Sequence, residues 1–185
     1  MMMSDKIALR KKYWLWAAGW VALIYSTLSV VRPVCEFLKK TTPFNAMMNG
    51  VLIVCLCLLL KRAWGSRWIR RASTWGLLLG AVAVYAVLAL RLPSPEERLH
   101  FLEYGVLAFL IYRALRLDVS SSGAYMLAFI LTSLLGWGDE GIQGILPNRY
   151  FQWADVWLNS QSALLGLWLT YILQRNNNER QQLEK

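Results

Sequence analysis

The chain has 185 residues, 57% of them hydrophobic and only 17% charged, with ten Trp. A soluble domain of this length needs a more polar surface, so the composition points to lipid as the solvent and to one compact membrane domain spanning 1–185. The formal charge of +9 raises nucleic acid as a partner, and the placement of the charges along the chain removes it.

Six apolar stretches follow in chain order, at 13–31, 44–60, 72–92, 99–115, 122–144 and 155–173. Each is close to the roughly 20 residues that a helix needs to cross the hydrocarbon core. The first follows Lys6, Arg10, Lys11 and Lys12 as a signal peptide might, but is too long for a signal core and is read as a retained span. Cys55 and Cys57 lie inside the second stretch and Cys35 stands just after the first. All three read as small hydrophobes. The one His is far from every cysteine, and no paired-ligand spacing indicates zinc. The polar tail 174–185, QRNNNERQQLEK, is expected to fray or to carry the last helix on into the cytoplasm.

The expected fold is therefore all-α, a polytopic membrane helix bundle of about six transmembrane helices with both termini on one side. Lys and Arg decide which side. One face receives Lys6, Arg10, Lys11 and Lys12, then Lys61, Arg62, Arg67, Arg70 and Arg71, then Arg113 and Arg116, and the tail's Arg175, Arg180 and Lys185. The other receives only Arg32, Lys39, Lys40, Arg91, Arg98 and Arg149. The positive-inside rule puts both termini in the cytoplasm. Most acids fall on the other face: Glu36, Glu96, Glu97, Glu103, Asp139, Glu140 and Asp155. The basicity is thus a topology signal and a contact with anionic lipid, which excludes a nucleic-acid footprint.

The polar residues of the last three spans converge on the outer side. The fourth span opens with PEERLHFLEY, where His100, Glu103 and Tyr104 share one helical face, one turn after Glu96 and Glu97. The fifth reaches Asp139, Glu140 and Gln143 near its outer end. The turn LPNRY brings Arg149. The sixth carries Asp155, Asn159, Ser162 and Gly166 at intervals of four, three and four, one stripe of a helix. Ionisable residues within spans are costly and usually face a functional interior. A polar cluster at the outer depth is the expected site.

These segments, HFLEYGVLAFLIYRAL and DEGIQGILPNRYFQWADVWLNSQSALLG, resemble the VanZ family of bacterial membrane proteins, named for teicoplanin resistance. The matching positions are His100, Phe101 and Tyr104, then Asp139, Glu140 and Gln143, then Arg149, then Asp155 and Asn159. The chain departs from the family pattern in having Glu96 and Glu97 where Asp-Lys is common, and Ser162 where a Gly is expected. The resemblance, confined to the motif-bearing part at 95–170, implies a multi-pass envelope protein related to glycopeptide susceptibility in some members. It supplies no reaction.

Three functions compete for the cluster. In the first it binds or handles a cell-envelope lipid or lipid-linked precursor, with Arg149 gripping phosphate, aided by Tyr104, Gln143 and Asn159. A divalent cation bridging Asp139, Glu140 or Asp155 to the phosphate would offset the acids' repulsion. In the second it is an intramembrane hydrolase or transferase, with His100, Glu140, Asp139 and Asp155 as the candidate catalytic groups. No Ser or Cys stands in a nucleophile motif; Ser160 and Ser162 carry no further signature. In the third the cluster is a polar lock between helices. A channel is disfavoured, because spans one to three continue no chain of ionisable groups.

Overall fold

A computed structural model of the chain describes residues 3–65, 72–92, 94, 96–147 and 149–183. Within the helices, the side chains of 32, 52, 55, 56, 59, 60, 62–65, 72, 96 and 175–183 are outside this set. The topology charges Arg67, Arg70, Arg71 and Lys185 therefore lie outside the described residues, as do the side chains of Arg32, Arg62, Arg175, Arg180, Cys55 and Glu96.

All regular structure among the described residues is helical: α1 (Met3–Thr41), α2 (Phe44–Gly65), α3 (Ala72–Arg91), a 3₁₀ turn at Glu96–Arg98, α4 (Leu99–Leu115), α5 (Ser121–Gln143) and α6 (Trp153–Leu183). The six α-helices coincide with the six apolar stretches. Among the described residues, two of them are long and apolar enough to cross a membrane by length and composition, at Met3–Val31 and Ser73–Arg91. α4 is only 17 residues long. α5 and α6 carry the polar residues of the cluster, which lower their average apolarity.

α1 runs farther than its apolar stretch, through Pro33 to Thr41. Pro removes one helical N–H, a loss that apolar helices tolerate when the rest of the ladder holds. The end is closed by the Thr42 backbone N–H and hydroxyl, both donating to the Leu38 carbonyl at 2.9 and 2.6 Å, and by Pro43 beyond it. α6 likewise continues through the polar tail as far as Leu183.

The chain divides into two units. The first comprises Met1–Val34 and Leu99–Leu167; the second comprises Cys35–Arg98 and Trp168–Lys185. In the second, Phe44 and Met48 of α2 and Leu78 and Ala81 of α3 are buried. There Gly80 faces the Trp168 ring at 3.5 Å from where a Cβ would stand, and an Arg98 guanidinium nitrogen donates to the Asn49 side-chain oxygen. Cys35 is buried and Cys57 exposed, and neither forms a disulfide.

The first unit is built around α4. Its Tyr104, Leu107, Ala108, Ile111 and Tyr112 form one core with Ala17 of α1, Ala124 and Ala128 of α5, and Ala163 and Leu167 of α6. Small residues on the facing helices let the backbones come close, as membrane helices require when no water drives them together. The limit is reached where α4 crosses α6. A Cβ on Gly166 would stand 2.5 Å from both the Cα and the carbonyl oxygen of Gly105, so only glycine fits there.

α1 belongs to this unit by specific bonds. Trp20 Nε1 donates to the Glu103 carbonyl at 2.8 Å, and the Tyr25 hydroxyl donates to the Leu135 carbonyl at 2.7 Å. At the other end of the unit, Arg113 donates to the Tyr13 hydroxyl at 2.7 Å, and Asp118 accepts from Arg10 at 3.2 Å.

Candidate functional site

α5 has opposite faces of opposite character, and the sense is the reverse of a soluble helix. Its back carries Met126, Ile130, Leu134 and Trp137, which are 60, 43, 54 and 51% exposed. Its buried stripe runs Ala124, Ala128, Thr132, Gly136, Asp139, Glu140 and Gln143. The two acids and the amide at its end have no exposed surface at all. Polar groups are enclosed and apolar ones turned outward, the arrangement expected of lipid as solvent.

The stripe ends in a network made from α4, α5, the following turn and α6. The Tyr104 hydroxyl donates to Asp139 Oδ2 at 2.6 Å. Gln143 Nε2 donates to Glu140 Oε1 at 2.8 Å. The Gln143 side-chain oxygen Oε1 accepts from Arg149, whose Nε lies at 2.9 Å and whose Nη2 also donates to it. Asn159 Nδ2 donates to the Gly136 carbonyl at 3.2 Å. Gly136 is needed for that approach: a Cβ there would stand 2.7 Å from Asn159 Cβ and 3.1 Å from Tyr104 Cε1. Asn159, Gly136 and Tyr104 thus meet at one point, with Asp139 bonded to the tyrosine.

Glu140 also reaches the start of α6. Its Oε2 accepts from the Gln152 backbone N–H at 3.1 Å, while Gln152 Nε2 donates to Asp155 Oδ2 at 3.2 Å. Gln152 precedes the first helical residue and Asp155 is the third. In the usual capping box the acid at that third position would take the cap's backbone N–H; here a carboxylate from α5 takes it instead. Sequence reasoning missed Gln152. Its only trace was the spacing Gln-Trp-Ala-Asp ahead of an apolar run.

His100 stands beside this network. Its ring stacks on Tyr104 with centroids 5.9 Å apart, and its Nδ1 is 3.6 Å from Glu103 Oε2, a contact too long for a hydrogen bond. Glu103, one turn along the same helix, is the carboxylate that His100 contacts. Ser160 and Ser162 turn back on their own helix, donating to the Val156 and Leu158 carbonyls at 3.1 and 2.6 Å.

Some buried polar atoms have no hydrogen-bond partner among the described residues. They include Asp139 Oδ1, Asn159 Oδ1, His100 Nδ1, and the hydroxyls of Thr132 and Ser133. Buried polar groups are nearly always paired, so each such atom marks a missing partner. No three His, Cys, Asp or Glu side chains among the described residues come together as a metal-holding group.

A bundle that encloses acids and amides behind apolar outer faces, with two helices able to cross a bilayer, belongs to a helical membrane protein. Residues 96–174 match the family model described as VanZ/LLP1, which makes this stretch of the chain a VanZ-like domain. No curated protein and no solved structure matches the chain. The matched segment holds α4, α5 and most of α6, and so every residue of the network above.

Proposed function

We propose that the protein is a six-span protein of the bacterial inner membrane whose α4–α6 cluster, facing the extracytoplasmic side, binds or handles the head group of a cell-envelope lipid. Its relation to teicoplanin susceptibility follows from the VanZ likeness alone. The observation that carries the reading is the fully buried polar stripe of α5, closed by Tyr104, Asn159 and Arg149 and left with unpaired oxygens. A stripe built only to lock helices together gains from pairing every buried atom. Arg149 has five N–H donors, and its bonds to Gln143 leave others for a phosphate.

The test is mass spectrometry of lipids and metals that co-purify with the detergent-solubilised protein. Wild type is compared with Arg149→Ala, Glu140→Gln and His100→Ala, each checked for folding. The expected result is a phosphate-bearing lipid enriched on wild type and lost from the Arg149 variant. If no lipid is enriched and the variants behave alike, the polar lock takes its place.

The contact between His100 and Glu103 favours a second reading, an intramembrane enzyme acting on the same head group. It requires turnover that both His100→Ala and Glu140→Gln abolish.

A further inference from the structure

Resting on the head-group reading, we propose that the deep end of the cluster receives a primary ammonium group, with Asp139 and Asn159 as its acceptors. The ligand class is a phosphate-linked amino alcohol of the ethanolamine type. The first observation is the pair of orphan oxygens. Asp139 spends Oδ2 on the Tyr104 hydroxyl, and Asn159 spends Nδ2 on the Gly136 carbonyl. Asp139 Oδ1 and Asn159 Oδ1 remain without partners in two side chains that have no exposed surface. Both belong to the place where Tyr104 and Gly136 meet.

The second observation is the direction of the surrounding bonds. Tyr104 donates to Asp139, Gln143 to Glu140, and Gln152 to both Glu140 and Asp155. The one guanidinium in the network gives its bonds to the amide oxygen of Gln143. Among the described residues, then, no cationic side chain hydrogen-bonds Asp139, Glu140 or Asp155. Arg149 acts on Asp139, Glu140 and Asp155 only through space, one cation against three acids, so what the site lacks is a second positive charge carried by a donor. A buried carboxylate that is only partly compensated must gain a partner or neutralise.

A phosphate brings neither donor nor positive charge to that point. Water satisfies orphan oxygens but leaves the excess of acids over the one arginine in place. An ammonium brings three N–H donors and the missing charge in a compact group. Arg149 docks on Gln143, one helical turn from Asp139, about 6 Å along the axis. The proposal thus puts the phosphate at an arginine docked one turn of α5 from the acid that takes the amine, which calls for a short linker between them.

The experiment uses the full-length protein, stripped of co-purified lipid, and reads lipid retention by native mass spectrometry. The probes are phosphatidylethanolamine, its N-acetylated form and phosphatidylglycerol, with free phosphoethanolamine as competitor. Phosphatidylethanolamine is expected to be retained at least tenfold better than the other two. Asp139→Asn is expected to bring the three lipids to near parity while the protein stays folded, with Asn159→Ala as the second variant should that one fail to fold. Displacement by free phosphoethanolamine at similar concentration supports the same chemistry supplied by a soluble source. Equal retention of all three lipids, lost together in Arg149→Ala, overturns the ammonium site and leaves the head-group reading standing. Retention of none overturns both. A preference that survives Asp139→Asn and Asn159→Ala also overturns the proposal.

Discussion

The Tyr104 hydroxyl lies 2.6 Å from Asp139 Oδ2, and it is the one hydrogen bond by which α4 holds the buried acid of α5 among the described residues. It joins two of the positions that the family pattern singles out, 35 residues apart in the chain. Tyr104→Phe keeps the ring and its stacking on His100 but removes the hydroxyl that donates to Asp139 Oδ2. A loss of about 1–2 kcal/mol is expected from one bond of this kind between membrane helices. Thermal unfolding in detergent measures it. The double variant Tyr104→Phe with Asp139→Asn is expected to lose less than the sum of the two singles, because the bond they share can be lost only once.

Gly105 and Gly166 make an asymmetric pair. A Cβ on Gly166 collides with the Gly105 backbone at 2.5 Å, whereas a Cβ on Gly105 meets nothing closer than the Ser162 carbonyl at 3.6 Å. Gly166→Ala is therefore expected to cost about 1–3 kcal/mol by forcing α4 and α6 apart. Gly105→Ala should cost little. Gly141→Ala serves as the control, since nothing lies within 4 Å of its Cβ position and Ala is favoured over Gly in helices by about 1 kcal/mol. Equal unfolding midpoints for the Gly105 and Gly166 variants would contradict the packing described.

Glu140 ties the end of α5 to the start of α6 through two donors, Gln143 Nε2 and the Gln152 backbone N–H. Glu140→Gln can accept only one of them, since its second polar atom becomes a donor. Hydrogen exchange at the Gln152 amide is expected to accelerate about fivefold or more, a loss of about 1 kcal/mol in local protection. Exchange at Ala128, on the same helix but away from the network, should be unchanged.

Much of this was legible in the sequence for a definite reason. Helix period and hydropathy are local properties, so the apolar stretches foretold all six α-helices. The intervals between Asp155, Asn159, Ser162 and Gly166 foretold one face of α6, and the structure turns that whole face inward. Ser162, where the family pattern expects glycine, is accommodated because its hydroxyl folds back onto the Leu158 carbonyl. Gly166 instead supplies the close approach.

The partners across helices could not be read, because no local pattern encodes which atoms meet. Nothing in the sequence says which carboxylate of another helix His100 would meet, and the one it contacts is Glu103 on its own helical face. Arg149 was expected to present its fork to a phosphate, and it also braces Gln143. Gln152 entered the network through its backbone N–H, which every residue but proline possesses and which no residue type announces. α1 had no motif, yet Trp20 and Tyr25 bond to carbonyls of α4 and α5. Backbone acceptors of this kind are invisible until two helices lie side by side. Composition and periodicity were enough to establish a helical chain made for lipid, with its polar residues gathered on three helices. Tertiary packing alone decided which of those residues satisfy one another, and which oxygens are left over for something else to fill.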